Sequence, residues 1–422
     1  MTLAGYGPRV LLVLLVTVLA ARAAGSLAAR LHQPRVQGEI VAGILLGPSA
    51  LGLLFPEGFA LLFPSEVLGS VKAIARLGLV LFMFRVGLEM DFTKLQRHYR
   101  RVVAISHASI AVPMVSGVAL GMWMHPRLGE GVDRLGFSLF LGVAMAITAF
   151  PVLARILEET GLAGTRLGVL VIACAAVDDV TAWCVLAVVV SIVESTDLLD
   201  VLATVLLSAA FVAVMVGVVK PLLARSARAP GAWTALAFVL LSSSITEAIG
   251  IHAIFGAFLA GAVMPRPSGG GGYAFDRVVS LVLLPVFFVS VGLTTRIGSL
   301  GSTYLWLVTA LVVATAIFGK LAGSVVAGRL TGESWGDAWV IGLLMNTRGL
   351  TELVILTVGL ELGVIGETVF AMMVVMALVT TMMAVPAVSL VTRLRTRRGA
   401  SPAVVDLRSR PPEAEHVPEM RG

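Results

Sequence analysis

Long apolar runs make up most of the chain, and short clusters of charged residues, glycine and proline separate each run from the next. A helix uses about 20 residues to cross the ~30 Å hydrocarbon layer of a membrane. At that length, the pattern predicts thirteen membrane-spanning helices, at residues 9–31, 36–53, 66–90, 101–124, 135–158, 166–193, 198–223, 231–250, 251–265, 275–297, 303–329, 336–360 and 367–391. We therefore expect an all-α membrane protein.

The composition supports the same class. Hydrophobic residues fill 58% of the 422 positions and charged residues only 13%, whereas an ordinary soluble domain is about 25% charged. A soluble fold is therefore excluded. We predict one transmembrane domain at residues 1–392 and a short, polar, disordered tail at residues 393–422.

Lysine and arginine in the loops concentrate on one side of the membrane. That side contains Arg30, Arg35 and the cluster from Lys94 to Arg101, whereas the other side has few basic residues, such as Arg127. Because cytoplasmic loops carry the excess of positive charge, we predict the N-terminus outside and the tail inside. The net charge of +6 is then explained by the orientation of the protein in the membrane. We therefore expect no nucleic-acid partner. As an alternative, the first segment could be a cleaved signal peptide, which would invert every later loop.

Two short motifs recur seven helices apart. Residues 38–43 (Gly-Glu-Ile-Val-Ala-Gly) resemble residues 256–261 (Gly-Ala-Phe-Leu-Ala-Gly), and one helix later residues 82–88 resemble residues 287–293. An odd offset means that the two copies cross the membrane in opposite directions. The chain therefore contains an inverted-topology repeat, which is typical of secondary transporters.

Adjacent carboxylates, Asp178 and Asp179, lie near the middle of the sixth predicted helix. A charged aspartate at that depth costs about 3 kcal/mol even on lenient insertion scales, so such residues usually face a water-filled cavity and act on ions or protons. Adjacent helical residues point ~100° apart. One carboxylate can therefore face a cavity while the other meets a neighbouring helix; the alternative is a purely structural pair.

Two of the predicted helices contain interruptions at equivalent positions of the repeat. In the fifth, Pro151 removes a backbone donor and favours a break near Thr148. In the twelfth, the break falls at Asn346-Thr347-Arg348-Gly349. Paired broken helices mark the binding site of a transporter, and Arg348 can offset the carbonyl ends of its half-helices. Each feature alone could instead be a proline kink or a snorkelling arginine.

Three further charged residues lie near these breaks. Lys320 is too far from either end of the eleventh helix to reach water easily, so it needs an anionic partner, with Asp178 or Asp179 as candidates. Arg155 and Glu352 follow the two breaks and could bridge them as a structural pair.

The sequence lacks the motifs of an enzyme. It contains no metal-ligand cluster, no phosphate-binding glycine turn between strand and helix, and no nucleophile–base pattern. We therefore expect a protein that is not an enzyme and needs no cofactor.

Several motifs together resemble the monovalent cation:proton antiporter superfamily. The resemblance is to the branch with bacterial sodium/proton antiporters, potassium-efflux systems and plant cation/proton exchangers, and it covers about residues 9–392. The segments that carry it are residues 38–48, 86–91, 148–155, 176–180, 255–258 and 346–349.

This resemblance implies roles for individual residues. Asp179 matches the acidic residue that carries the cation or proton, and Asp178 with Lys320 matches the pair found in electrogenic members. It also implies a homodimer and a mobile core with two crossed broken helices. Arg348 departs from the plant exchangers, which tend to have lysine there, and the chain lacks the nucleotide-binding tail of the potassium-efflux systems.

These observations predict an electrogenic multi-pass antiporter of the cell membrane that exchanges Na⁺, or alternatively K⁺ or Li⁺, for protons by alternating access. The residues expected to bind the ion or the proton are Asp179, Asp178, Thr148 and Lys320. An electroneutral K⁺/H⁺ exchanger is the second reading. An ion channel would need a continuous pore, which the broken helices disfavour. A transporter-like sensor is disfavoured by the short tail. The sequence does not determine whether Na⁺ or K⁺ is selected, because that selectivity depends on cavity size and on the placement of carbonyl groups.

Overall fold

The computed structural model describes residues 3–31, 33–89, 99–129, 131–159, 162, 165–194, 198–225, 230–265 and 273–397. The first nine α-helices are α1 Leu3–Arg30, α2 Arg35–Leu46, α3 Leu51–Leu54, α4 Pro56–Leu62, α5 Ser65–Glu89, α6 Tyr99–Leu128, α7 Arg134–Ala146, α8 Phe150–Glu159 and α9 Arg166–Glu194. The other ten are α10 Leu198–Val214, α11 Lys220–Ala224, α12 Ala232–Ile249, α13 Ala253–Val263, α14 Asp276–Val278, α15 Leu284–Thr294, α16 Thr303–Leu330, α17 Trp335–Met345, α18 Leu350–Glu361 and α19 Glu367–Arg397.

The predicted all-helical membrane fold is confirmed. Among the described residues, ten helical segments are long and apolar enough to cross a membrane, and every predicted segment overlaps a helix. A π-helical turn at Met215–Val219 joins α10 to α11, and another at Val279–Leu283 joins α14 to α15.

Two predicted boundaries can be compared with the observed helices. The span predicted at 36–53 corresponds to a candidate membrane span at Arg35–Leu54, in which α2 ends at Leu46 and α3 begins at Leu51, because Pro48 disfavours helical backbone at the residue before it. The helix α19 continues to Arg397 and so includes the first five residues of the predicted tail, whose disorder stays a prediction. Residues 398–422 lie outside the described residues.

The helices pack as two bundles. The scaffold bundle, as we name it, contains α1, α2, α5, α12, α13 and α15, and the core bundle contains α6–α9 and α16–α19. Each helix packs most closely against members of its own bundle, while α10 contacts both α9 and α12. The two broken segments, α7–α8 and α17–α18, both belong to the core bundle.

The repeat is visible as reciprocal helix packing in the scaffold bundle. A Cβ atom on Gly43 of α2 would overlap the backbone of α15, and one on Gly292 of α15 would overlap the backbone of α2. The same relation holds between Gly87 of α5 and Gly261 of α13. The first helix of each copy thus packs on the second helix of the other, as a two-fold-related repeat requires.

We expect the substitution Gly261→Ala to destabilise the scaffold bundle. The added methyl group would overlap the carbonyl oxygen of Phe84, and overpacking of this kind costs about 1–3 kcal/mol. The melting temperature of the purified protein in detergent should fall. Gly69→Ala on α5 is the matched control, because a Cβ there meets nothing within 4 Å; an equal fall in both variants would contradict the packing argument.

Candidate ion-binding site

Both predicted helix interruptions are present. The helix α7 ends at Ala146 and α8 begins at Phe150, so Thr148 lies in the non-helical segment between them. Likewise α17 ends at Met345 and α18 begins at Leu350, which leaves Asn346 to Gly349 between the two half-helices.

The two breaks contact each other inside the core bundle. The backbone N–H of Ala149 donates a hydrogen bond to the carbonyl of Thr347 at 3.0 Å. The hydroxyl of Thr148 lies 3.1 Å from the carbonyl of Met345. Backbone groups that the interruptions free are therefore satisfied across the contact, as burial in a membrane requires.

Two cations neutralise the C-terminal end of α7. The guanidinium of Arg348 donates to the carbonyl of Ala144 at 3.0 Å and to that of Met145, and the ammonium of Lys320 donates to the carbonyl of Ala146. The C-terminus of a helix carries partial negative charge. Arg348 was expected to offset the half-helices of its own segment; instead it caps the other broken helix.

Arg348 is held in place by two further contacts. Its guanidinium pairs with Glu352 at 3.3 Å, and both side chains are fully buried. The Thr381 hydroxyl lies 2.9 Å from the Arg348 backbone N–H and 2.7 Å from its carbonyl. Glu352 therefore pairs within its own segment. The expected bridge to Arg155 is not tested, because the side chains of Arg155 and Pro151 lie outside the described residues.

One oxygen of Asp178 collects three donors. Its Oδ2 lies 2.7 Å from Ser109 Oγ, 2.8 Å from Thr148 Oγ1 and 3.2 Å from Lys320 Nζ. Lys320 also donates to the carbonyl of Ser109 at 2.9 Å. Of the two carboxylates considered as the partner of Lys320, the structure pairs it with Asp178, and this ion pair is fully buried.

Asp179 is in a different environment. Its side chain is fully buried, and neither carboxylate oxygen has a hydrogen-bond partner among the described residues. The backbone of Phe150, at the start of α8, interacts with this carboxylate electrostatically but outside hydrogen-bond geometry. The side-chain amide of Asn346, in the second break, is also buried, and no described residue forms a hydrogen bond with it. A buried carboxylate in this state requires a proton or a cation.

Sequence reasoning missed Ser109 and Thr381. Both are hydroxyl residues in apolar helices, where most such groups bond their own backbone, and no spacing signal sets them apart. Their roles depend on which helix faces them, which only the packing of α6 on α9 and of α18 on α19 determines.

A second charged cluster lies at one end of the core bundle. Glu333, between α16 and α17, has a side chain only 1% exposed. It accepts from Arg101 Nη1 at 3.1 Å and from both terminal nitrogens of Arg166, and its carbonyl accepts from Arg329. Basic residues that the charge rule treats as orientation signals therefore also tie α6, α9 and α16 together.

We expect Glu333→Gln to lower the stability of the core bundle. Arg101 and Arg166 are 41% and 46% exposed, so water can hydrate them in the variant, and the cost is that of charge-assisted hydrogen bonds to the buried Glu333 carboxylate, about 1.5–3 kcal/mol. The matched control is Glu247→Gln, because the pair of Glu247 with Arg76 is half-exposed and such pairs contribute about 0–1 kcal/mol. Thermal unfolding of both variants in detergent measures the difference; equal melting temperatures would refute it.

Comparisons with known proteins agree with this geometry. A family model described as sodium/hydrogen exchanger, transmembrane, matches residues 12–393. The chain is 41% identical over 382 residues to the Na(+)/H(+) antiporter NhaS4 of Synechocystis sp., with 87% of this chain and 93% of that protein covered.

Two more distant relatives are longer than this chain. Identity is 38% to Cation/H(+) antiporter 17 of Arabidopsis thaliana, with 90% of this chain and 48% of that protein covered. It is 32% to K(+)/H(+) antiporter 1 of Saccharomyces cerevisiae, with 86% and 44% covered. The chain thus spans about half the length of these two relatives.

Among solved structures, the fold is similar to that of the sodium proton antiporter MjNhaP1 from Methanocaldococcus jannaschii. The TM-score is 0.63 at 15% sequence identity, with 90% of this chain and 97% of that chain covered. At this identity the likeness concerns the fold alone.

Proposed function

Because the chain belongs to the sodium/hydrogen exchanger family, we propose that this multi-pass membrane protein is a secondary antiporter that exchanges Na⁺ for protons. Asp179 carries the proposal: it is a fully buried carboxylate without a hydrogen-bond partner among the described residues. It follows directly on Asp178, which contacts Thr148 of the first break.

Exchange follows from competition for Asp179. A lone charged carboxylate is unfavourable inside a membrane, so the site is stable only when a proton or a partly dehydrated cation neutralises it. The proton and the cation exclude each other because each neutralises the same carboxylate. If the core crosses only when loaded, each cation that leaves must be replaced by protons from the other side.

The packing of the helices suggests how the site changes sides. Both broken segments belong to the core bundle, and close packing is mostly within each bundle. We propose that the core moves against the scaffold as a unit, which is the usual form of alternating access around a fixed site. The buried cluster at Glu333 supports movement as one body, because it ties several core helices together.

Flux measurements test directly which cation is transported. Purified protein in liposomes with an acidic interior and a pH-sensitive dye should give dequenching when Na⁺ is added, with a rate that saturates. Li⁺ and K⁺ are then added in turn. A larger response to K⁺, without transport current, would favour the electroneutral K⁺/H⁺ exchanger, and cation flux independent of protons would favour a channel.

We also propose that the protein is a homodimer, that its other partners are the monovalent cation, protons and membrane lipid, and that it serves pH homeostasis. The long apolar α1 supports a membrane-facing or partner-facing surface, since Leu11, Leu15 and Leu19 are all more than half exposed. Native mass spectrometry from detergent measures the oligomeric state, and a monomer at all concentrations would contradict the dimer.

A further inference from the structure

Two of the donors to Asp178 have a second acceptor within reach. Ser109 Oγ lies 2.7 Å from Asp178 Oδ2 and 2.9 Å from the carbonyl of Ser106. Thr148 Oγ1 lies 2.8 Å from the same Oδ2 and 3.1 Å from the carbonyl of Met345. Both alternative acceptors are main-chain groups, which stay in place when a side chain moves.

A hydroxyl group has only one proton to donate. Ser109 can therefore donate to Asp178 or to Ser106, but not to both at once. A hydrogen bond to a charged carboxylate is roughly twice as strong as one to a neutral carbonyl, so the hydroxyl donates to Asp178 while that carboxylate stays at Lys320. When Asp178 leaves, the hydroxyl can turn to the carbonyl, and no buried donor loses its partner.

Ser109 also contacts the other member of the pair. Its carbonyl accepts from Lys320 Nζ at 2.9 Å, so one residue of α6 touches both Asp178 on α9 and Lys320 on α16. Both of its polar groups are fully buried. No other described residue has a hydrogen bond to each of these two side chains.

We propose that Ser109 is a positioning residue that holds Asp178 against Lys320 and releases it when a cation arrives at Asp179. The proposal rests on the proposed function, in which the cation binds at Asp179, and it adds that this cation draws the neighbouring Asp178 away from Lys320. Thr148 acts in the same way from the first break. The carbonyls of Ser106 and Met345 lower the free-energy cost of this release, because each hydroxyl that loses its hydrogen bond to Asp178 gains one to a carbonyl.

Replacing Ser109 removes none of the other charged or titratable groups around the pair. They are Asp179 and Cys174 on α9, together with Arg348 and Glu352 at the second break. An effect of the replacement can therefore be assigned to the hydroxyl group.

The test compares Ser109→Ala with Ser109→Thr. Without the hydroxyl, Asp178 is held less firmly at Lys320, so we expect the apparent KM for Na⁺ to fall by up to about tenfold, the factor that corresponds to the difference between a hydrogen bond to a charged carboxylate and one to a neutral carbonyl, while kcat does not rise. Ser109→Thr should restore the wild-type KM. Isothermal titration with NaCl should show the same change in affinity, independently of transport.

Ser116→Ala is the matched control on the same helix. The Ser116 hydroxyl bonds the carbonyl of Pro113 in its own helix, so its removal should leave KM and the Na⁺ affinity unchanged. An unchanged affinity in Ser109→Ala would overturn the inference, as would loss of binding in both Ser109 variants. If wild-type protein neither binds Na⁺ nor exchanges it, the proposed function fails instead, so the two failures are distinguishable.

Discussion

Asp179→Asn abolishes Na⁺-dependent proton exchange and leaves the protein folded. The substitution keeps the shape of the side chain but removes the one fully buried carboxylate in the described residues that has neither a hydrogen bond nor an ion pair. No group is then left for proton and cation to share. Dye dequenching in liposomes should fall to the level of empty vesicles, and the melting temperature without Na⁺ should stay close to wild type.

A binding readout separates loss of the site from loss of turnover. A ligand at 100 times its Kd stabilises a folded protein by about 2.7 kcal/mol, so saturating Na⁺ should raise the melting temperature of wild type and not that of Asp179→Asn. Asp133→Asn is the matched control. Asp133 caps α7, and asparagine caps a helix equally well. Exchange at the wild-type rate in Asp179→Asn would remove this residue from the mechanism.

Much of the architecture was predictable because it depends on local properties of the chain. Hydropathy alone locates the helices, and Pro151 places the first break near Thr148, where the structure has it. The repeat motifs predicted equivalent helices, and their glycines make the reciprocal contacts of the scaffold bundle.

The partners of the charged groups were not predictable to the same degree. Lys320 had two candidate carboxylates, and only the packing of α9 and α16 against α6 selects Asp178. Arg348 donates to carbonyls about 200 positions away in the chain, a contact with no local signal. Glu333 was missed because a carboxylate in a loop next to basic residues resembles an ordinary solvated turn.

The Asp178–Lys320 pair is the group from which we expect a second proton. Both side chains are fully buried at 3.2 Å, and Lys320 additionally caps Ala146 of α7. If Na⁺ at Asp179 draws Asp178 away, the desolvated ammonium loses its anionic partner and can release a proton. Two protons would then move for each cation, which transfers one net charge.

A purely structural role of the Asp178–Lys320 pair predicts a different result, a change in stability without a change in charge coupling. If the pair only ties helices together, single substitutions lower stability by about 3–5 kcal/mol, because each leaves one buried charge unpaired, and the charge coupling stays as it was. The double variant Asp178→Asn/Lys320→Gln separates the two roles. It removes both charges together, so neither residue is left as an isolated ion.

We expect that double variant to exchange Na⁺ for protons without current. Asp179 is retained, so one proton still competes with one cation, but the second proton carrier is gone. Wild type should respond to membrane potential by roughly 2.3 kcal/mol per 100 mV for the transferred charge, and the variant should not. Transport current on a solid-supported membrane, measured beside dye-monitored proton flux, tests this. Full current in the variant, or exchange without current in wild type, would show that the Asp178–Lys320 pair does not carry the second proton.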